Sequence, residues 1–130
     1  MSDDFFQSNP TILVVDDEEL MREVVTIMIE ENGGSVISAV DGQDAIEKFE
    51  EHASDISCVF MDFSMPRKNG YEAYVEIRNK SAEVPVVIVS GLSVTPEVEE
   101  LKKNNQIVFL SKPFHEEQLL GALQAASDLK

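Results

Sequence analysis

Polar side chains that could share one reaction follow four of the five apolar runs in the sequence. Asp16 and Asp17 come after ILVV, Asp62 after CVFM, Ser90 ends VVIVS, and Lys112 follows the last run. Three clustered carboxylates repel one another unless a proton or a cation lies among them. An oxygen-only set suits Mg²⁺ or Mn²⁺ better than zinc, and a lysine and a serine can bind phosphoryl oxygens. The set therefore predicts metal-dependent phosphoryl transfer, with Asp62 as the nucleophile.

Each of these residues also has a simpler interpretation. Asp17 could cap the first helix, and Asp62 could open a turn. The Ser90 hydroxyl could bind loop backbone, and Lys112 could be a solvated charge. Four strand ends out of five supply one complementary set, however, and independent turn chemistry gives no reason for that coincidence. The pattern favours a shared site.

Five short apolar runs alternate with helical patterns, and these elements must position the set. The runs are Thr11–Val15, Ser35–Ala39, Ser57–Met61, Pro85–Ser90 and Ile107–Ser111. The alternation predicts a (βα)5 protein of the α/β class, with a doubly wound, parallel, five-stranded sheet. In the strand order 2-1-3-4-5, the first and third strands are neighbours. Their carboxyl ends would then border the crevice where such sheets bind ligands.

The helices are predicted from their apolar positions and their ends. The first stops at a pair of glycines, the second follows a cap at Asp41, and the last two follow Thr95-Pro96 and Pro113. The apolar positions are Leu20, Val24, Ile27 and Met28 in the first helix, Ala45, Ile46 and Phe49 in the second, Tyr71, Tyr74, Val75 and Ile77 in the third, and Phe114, Leu119, Leu120, Leu123 and Ala126 in the fifth.

The composition indicates one globular domain with an acidic surface. The 130 residues include 10 Lys or Arg and 25 Asp or Glu, for a formal net charge of −15. This charge disfavours direct contact with nucleic acid or anionic membranes, so proteins and cations are the expected partners. The sequence shows no signal segment or membrane-spanning run, which predicts a cytoplasmic location. Residues 1–10 are expected to be a flexible leader, residues 11–130 the domain, and Cys58 a buried apolar residue.

Taken together, the motifs resemble the receiver domain of two-component response regulators. The acidic pair in ILVVDDEE, the MDFSMPRKNG around Asp62, VVIVSG and FLSKPF stand in the order and spacing of that family. The resemblance covers residues 11 to 126 and implies the flavodoxin-like receiver fold. It also implies that Asp62 accepts a phosphoryl group from a histidine kinase or a histidine phosphotransfer domain. A downstream protein target would then recognise the phosphorylated form.

The resemblance also implies a role for each residue of the site. The implied ligands of Mg²⁺ (or Mn²⁺) are Asp16, Asp17, Asp62 and the backbone carbonyl of Ser64. Lys112 would contact the phosphoryl group. Ser90 and Phe109 would form a switch that repacks the face made by the fourth helix, the fifth strand and the fifth helix. Leu92 is apolar at a position that tunes access of hydrolytic water in this family, which favours a long-lived phosphoryl group.

Other functions and contexts stay open at this point. A pseudo-receiver would bind partners without phosphorylation, although such domains tend to lose the acceptor or the acidic pair. A small aspartate-nucleophile phosphatase of the haloacid-dehalogenase type would place its nucleophile on the first strand, in an Asp-x-Asp pattern. The chain is not expected to be a free-standing enzyme beyond its own phosphorylation and dephosphorylation. It could stand alone or belong to a hybrid sensor histidine kinase, whose receivers it resembles.

Overall fold

The computed structural model describes residues 4–63, 70–91, 96–103 and 106–129. Its elements are α1 (Asp4–Gln7), β1 (Thr11–Val15), α2 (Glu19–Glu31), β2 (Ser35–Ala39), α3 (Gly42–His52), β3 (Cys58–Asp62), α4 (Gly70–Lys80), β4 (Val86–Ser90), α5 (Pro96–Lys102), β5 (Ile107–Ser111) and α6 (Glu116–Asp128). The strands form one parallel sheet in the order β2-β1-β3-β4-β5, so the predicted doubly wound (βα)5 fold is confirmed. Within the described residues, no helix combines the length and the apolar character needed to cross a membrane.

The strand bounds follow the sequence closely. β1, β2 and β5 start and end at the predicted residues, while β3 and β4 each begin one residue later than predicted. β3 also ends one residue later, at Asp62 instead of Met61, because the Asp62 backbone continues the ladder opposite Val89 of β4. The acid is therefore the last residue of a strand whose five members are all buried.

Alternate residues of the central strands enter two separate apolar cores. In β1, Leu13 and Val15 pack on the side of α3, α4 and α5, whereas Ile12 and Val14 pack on the side of α2 and α6. A sheet that is covered on both faces needs apolar residues at every position, and the continuous run ILVV meets that need. Cys58 lies in the second core, where burial raises the pKa of its thiol to about 12. The predicted apolar role of this cysteine is confirmed.

Helix α2 buries a different stripe from the predicted one. Val25 and Ile29 are fully buried, whereas Leu20, Val24 and Ile27 are 73%, 39% and 54% exposed. Successive helical residues are about 100° apart, so α2 carries two neighbouring apolar stripes. The periodicity of the sequence does not tell which of the two meets the sheet.

The N-terminal segment differs from the predicted flexible leader. Residues 4–7 form helix α1, in which Phe5 is only 8% exposed and packs into the core of α2 and α6. The Phe5 N–H donates to Gln124 Oε1 of α6 at 3.1 Å, and the rings of Phe5 and Phe6 meet edge to face at 5.2 Å. Burial of a large aromatic ring offsets the entropy cost of ordering one helical turn. Because α1 precedes the first strand, the fourth and fifth predicted helices are α5 and α6.

Two of the predicted helix starts are confirmed. The Asp41 carboxylate caps α3, since it accepts a hydrogen bond from the Asp44 N–H at 2.8 Å. Helix α5 begins at Pro96, as proline at the first helical position predicts. Thr95, its predicted cap, lies outside the described residues.

Helix α6 begins later than predicted, at Glu116 instead of just after Pro113. His115 is its N-cap residue, and the Gln118 side chain accepts a hydrogen bond from the His115 N–H at 2.7 Å. This capping box fixes the start of the helix. The apolar positions predicted within the helix at Leu119, Leu123 and Ala126 are buried.

Candidate functional site

Strand register brings two acids level at the carboxyl edge of the sheet. Val15 of β1 pairs with Met61 of β3, so Asp16 and Asp62 are the next residues on neighbouring strands. Both acids are buried, whereas Asp17 is exposed. One carboxylate oxygen from each of the three lies within 4.8 Å of the other two. The structure thus brings the three predicted carboxylates together.

The Lys112 ammonium lies beside this cluster. Its Nζ is 3.4 Å from Asp62 Oδ1 and 3.9 Å from Asp16 Oδ2, and the side chain is 26% exposed. The Lys112 backbone N–H donates to the Ser90 carbonyl oxygen at 2.9 Å, which fixes the chain just after β5. Lys112 is therefore not the solvated surface charge of the alternative interpretation.

Asp16 is anchored through its main chain and its side chain. Its N–H donates to the Ala39 carbonyl at 3.2 Å, and its Oδ1 accepts from the Glu18 N–H at 2.9 Å. Its carbonyl oxygen accepts from Nη1 of Arg22 at 2.6 Å. The alternative interpretation of Asp17 as a helix cap is not supported, because Glu18 is the N-cap residue of α2 and the Glu18 N–H donates to Asp16.

The charges in the cluster do not balance. Desolvation by burial raises the pKa of Asp16, and repulsion from Asp17 and Glu18 adds to the rise. The hydrogen bond from the Glu18 N–H and the Lys112 ammonium lower this pKa without cancelling the effect of burial. A divalent cation would complement three carboxylates that face one ammonium. Because the available donors are oxygens, the cluster fits Mg²⁺ or Mn²⁺ and does not fit zinc.

Ser90 and Phe109 lie on one face of the sheet. Ser90 ends β4, one residue beyond Val89, which pairs with Asp62 of β3. Phe109 of β5 pairs with Ile88, and it packs half-buried against the core that contains Ile88. Side chains alternate along a strand, so Ser90 lies on the same side as Ile88 and Phe109.

The chain beyond Asp62 passes close to that residue again at Gly70. The Gly70 N–H donates to the Phe63 carbonyl at 2.7 Å. A Cβ on Gly70 would lie 2.7 Å from Phe63 Cα and 3.1 Å from the Asp62 carbonyl oxygen, so a larger residue would displace the backbone beside the acid. Ser64 and Leu92, two further residues predicted to act here, lie outside the described residues.

The sequence pattern of the response regulator receiver domain matches residues 12–124 of this chain. The chain belongs to the response regulator receiver family. Protein PilG of Pseudomonas aeruginosa is 33% identical to this receiver domain over 116 residues, which cover 88% of the chain and 84% of PilG. The autoinducer 1 sensor kinase/phosphatase LuxN of Vibrio campbellii is 34% identical over 95 residues, which cover 73% of the chain and 11% of LuxN.

Solved receiver structures share the fold. The chemotaxis protein CheY4 of Vibrio cholerae superposes on this receiver domain with a TM-score of 0.78 and 28% identity, over 90% of the chain and 98% of CheY4. Other curated relatives are longer proteins, and the chain spans 36% of one and 55% of another. The family and its fold are therefore shown for this chain, and the relatives include both short and long proteins.

Two structural contacts of this receiver domain were not predicted from sequence. The Arg22 guanidinium holds the Asp16 carbonyl, and the Gly70 backbone touches that of Phe63. The sequence carried one signal for the first contact, because Arg22 is the single basic residue in the acidic stretch DDEELMRE. The second contact depends on the path of the chain, which a lone glycine does not specify.

Proposed function

We propose that this receiver domain is a phosphoacceptor that takes a phosphoryl group onto Asp62 from a histidine kinase or a histidine phosphotransfer domain. One observation carries the proposal. The Asp62 carboxylate ends a fully buried strand, 3.4 Å from an ammonium and within 4.8 Å of two further carboxylates. A turn residue has no need of such surroundings, whereas a nucleophile for a charged phosphoryl group needs both the cation and the positioning.

The cofactor that we propose is Mg²⁺, with Mn²⁺ as its substitute. Asp16, Asp17 and Asp62 would hold it together with the backbone carbonyl of Ser64. The raised pKa of Asp16 and the three converging carboxylates support this assignment, because both indicate negative charge that the protein alone does not neutralise. When bound, the cation would supply positive charge to the oxygens of the phosphoryl group.

The transfer itself forms one bond and breaks one. An oxygen of the Asp62 carboxylate attacks phosphorus, and the bond between phosphorus and the histidine nitrogen of the donor breaks, leaving its electron pair on that nitrogen. The product is an acyl phosphate on Asp62. The Lys112 ammonium donates a charge-assisted hydrogen bond to a phosphoryl oxygen, and the Ser90 hydroxyl donates to another.

The proposed readout is a switch at Ser90 and Phe109. The two residues share one face of the sheet, Ser90 at the carboxyl end of β4 and Phe109 in the middle of β5. A Ser90 hydroxyl drawn towards the phosphoryl group would leave room for the half-buried Phe109 ring to turn inward. The face formed by α5, β5 and α6 would repack, and a downstream protein target would bind the new surface.

The proposed setting of this activity is the cytoplasm. The net charge of −15 supports partners that are proteins and opposes direct contact with nucleic acid or an anionic membrane. The match to most of PilG agrees with a free-standing receiver, and the match to part of LuxN agrees with a receiver joined to a sensor kinase.

The test is intact-mass measurement after incubation with acetyl phosphate. We expect one added phosphoryl group with Mg²⁺, none with EDTA, and none in Asp62→Asn. Asp55→Asn is the matched control, because Asp55 is an exposed aspartate next to the end of α3, outside the acidic cluster. An unchanged mass of the wild-type protein under all conditions would instead indicate a pseudo-receiver. Continuous turnover of added phosphoesters would indicate a phosphatase.

A further inference from the structure

Arg22 makes the closest described contact to the main chain of the acidic pair. It lies half-buried one turn into α2, and its Nη1 donates to the Asp16 carbonyl oxygen at 2.6 Å. We infer that Arg22 is a positioning residue that holds the Asp16-Asp17 peptide in the orientation needed for cation binding. This inference rests on the metal-dependent function proposed above.

The geometry of the peptide explains how Arg22 would act. The Asp16 carbonyl and the Asp17 N–H belong to one planar group, so the hydrogen bond that fixes the oxygen also fixes the direction in which the chain enters Asp17. The Asp16 side chain has its own anchor on the Glu18 N–H. Asp17 is exposed, and none of the described residues forms a hydrogen bond to its carboxylate. Its placement therefore depends on the backbone that Arg22 holds.

The charge of Arg22 would by itself have the opposite effect on cation binding. A guanidinium near three carboxylates repels a divalent cation, and its removal would strengthen binding through Coulomb attraction alone. Loss of the hydrogen bond would weaken binding, because Asp17 would lose its fixed orientation. The two contributions thus differ in sign, and the direction of the change in Kd in a titration with Mg²⁺ shows which of them is larger.

The experiment compares Arg22→Met and Arg22→Lys with the wild-type chain. Mg²⁺ is titrated without phosphodonor, and Kd is read from amide chemical shifts. We expect Arg22→Met to weaken Mg²⁺ binding about tenfold, the scale of one lost charge-assisted hydrogen bond. Arg22→Lys keeps a donor and the charge, and it should recover most of the affinity. In acetyl phosphate assays, the Mg²⁺ concentration for half-maximal phosphorylation should rise, while the rate at saturating Mg²⁺ stays unchanged.

Lys48→Met is the matched control. Lys48 also donates to a backbone carbonyl, that of Ser38 at 3.1 Å, and its removal changes the net charge by the same amount. We expect its Kd for Mg²⁺ to equal that of the wild-type protein. Unfolding of each variant without Mg²⁺ detects a merely structural role, which would lower stability and leave Kd unchanged.

The outcomes distinguish this inference from the proposed function. A folded Arg22→Met that binds Mg²⁺ as tightly as the wild-type protein, or more tightly, would overturn the positioning role and leave the receiver function intact. A wild-type chain that neither binds Mg²⁺ nor gains a phosphoryl group would overturn the function itself. If Arg22→Met fails to fold, Arg22→Gln takes its place, with the same direction of change expected.

Discussion

The two ends of the sheet are built from different chemistry. At the carboxyl ends of the strands, Asp16 and Asp62 are buried beside the Lys112 ammonium. At the amino ends, the aromatic ring of Phe5 closes one core, and backbone groups pair in hydrogen bonds such as that from the Ser57 N–H to the Thr11 carbonyl at 2.7 Å.

This difference separates stability from reactivity. Apolar burial and neutral hydrogen bonds lower the free energy of the folded chain, whereas buried carboxylates raise it unless they are paired or neutralised. The amino end of the sheet should therefore tolerate few changes in volume but take no part in phosphorylation. The carboxyl end should respond to changes in charge and in cation concentration.

The largest expected effect comes from the amino end. Phe5→Ala should lower the free energy of unfolding by about 3 kcal/mol, because it leaves a cavity in the core that α2 and α6 form with the sheet. Urea unfolding would measure this loss, and the phosphorylation rate of the folded protein should not change. Phe6→Ala is the matched control with a smaller expected loss, since Phe6 is only partly buried. A folded Phe5→Ala that is phosphorylated slowly would break the separation between the two ends.

A smaller effect is expected from Gly70→Ala, next to Asp62. The new Cβ would lie 2.7 Å from Phe63 Cα, so the backbone beside Asp62 must shift. We expect a loss of about 1–3 kcal/mol in the free energy of unfolding, and slower phosphorylation as well. Urea unfolding and the intact-mass time course would measure the two quantities.

Gly121→Ala is the matched control for Gly70→Ala. Its Cβ would meet no atom within 4 Å, and Gly121 lies inside helix α6. Alanine is the better helix former there, so stability should rise by about 0.5–1 kcal/mol with an unchanged phosphorylation rate. Equal losses in the two variants would show that the close approach at Gly70 has no special importance.

The smallest effect concerns pH and Asp16. Burial raises the pKa of this carboxyl above its value in the unfolded chain, so the ionised form destabilises the folded state. The cost is fully present above the folded-state pKa and is lost as pH falls through that pKa towards 3.8. In metal-free protein, Asp16→Asn should therefore be more stable than the wild-type protein at pH 7, by a margin that shrinks as the pH approaches 4.

Urea unfolding at several pH values in EDTA would test this dependence. Asp17→Asn is the control, because Asp17 is exposed and its loss should change stability less. A margin for Asp16→Asn that grows as the pH falls would contradict the expected sign. Such a result would mean that the pairing of Asp16 with Lys112 outweighs its desolvation.

Strands and strand ends could be predicted from the sequence because their physical rules are local. A continuous β-branched run such as ILVV is hard to place anywhere but in a doubly covered strand, and parallel strands end at the same edge. The convergence of Asp16, Asp62 and Lys112 follows from those two facts and from the strand order 2-1-3-4-5 of the doubly wound fold, in which the first and third strands are neighbours.

The remaining features depend on contacts between distant parts of the chain. The sequence does not tell whether Val24 or Val25 of α2 meets the sheet, because each lies in an apolar stripe of helical spacing. It does not separate buried Asp16 from exposed Asp17, which are adjacent and chemically identical. Helix α1 was missed for a similar reason, since Phe5 becomes buried only against α6.

The two contacts of Lys112 connect neighbouring strands of the sheet. Its ammonium lies against the Asp62 carboxylate on β3, while its backbone N–H donates to the last carbonyl of β4, on Ser90. A change in the charge or size of the Asp62 side chain would act on the ammonium, and the same lysine is tied to Ser90 at the end of β4. A modification of the Asp62 carboxylate on β3 would thereby be coupled to the position of the β4 end.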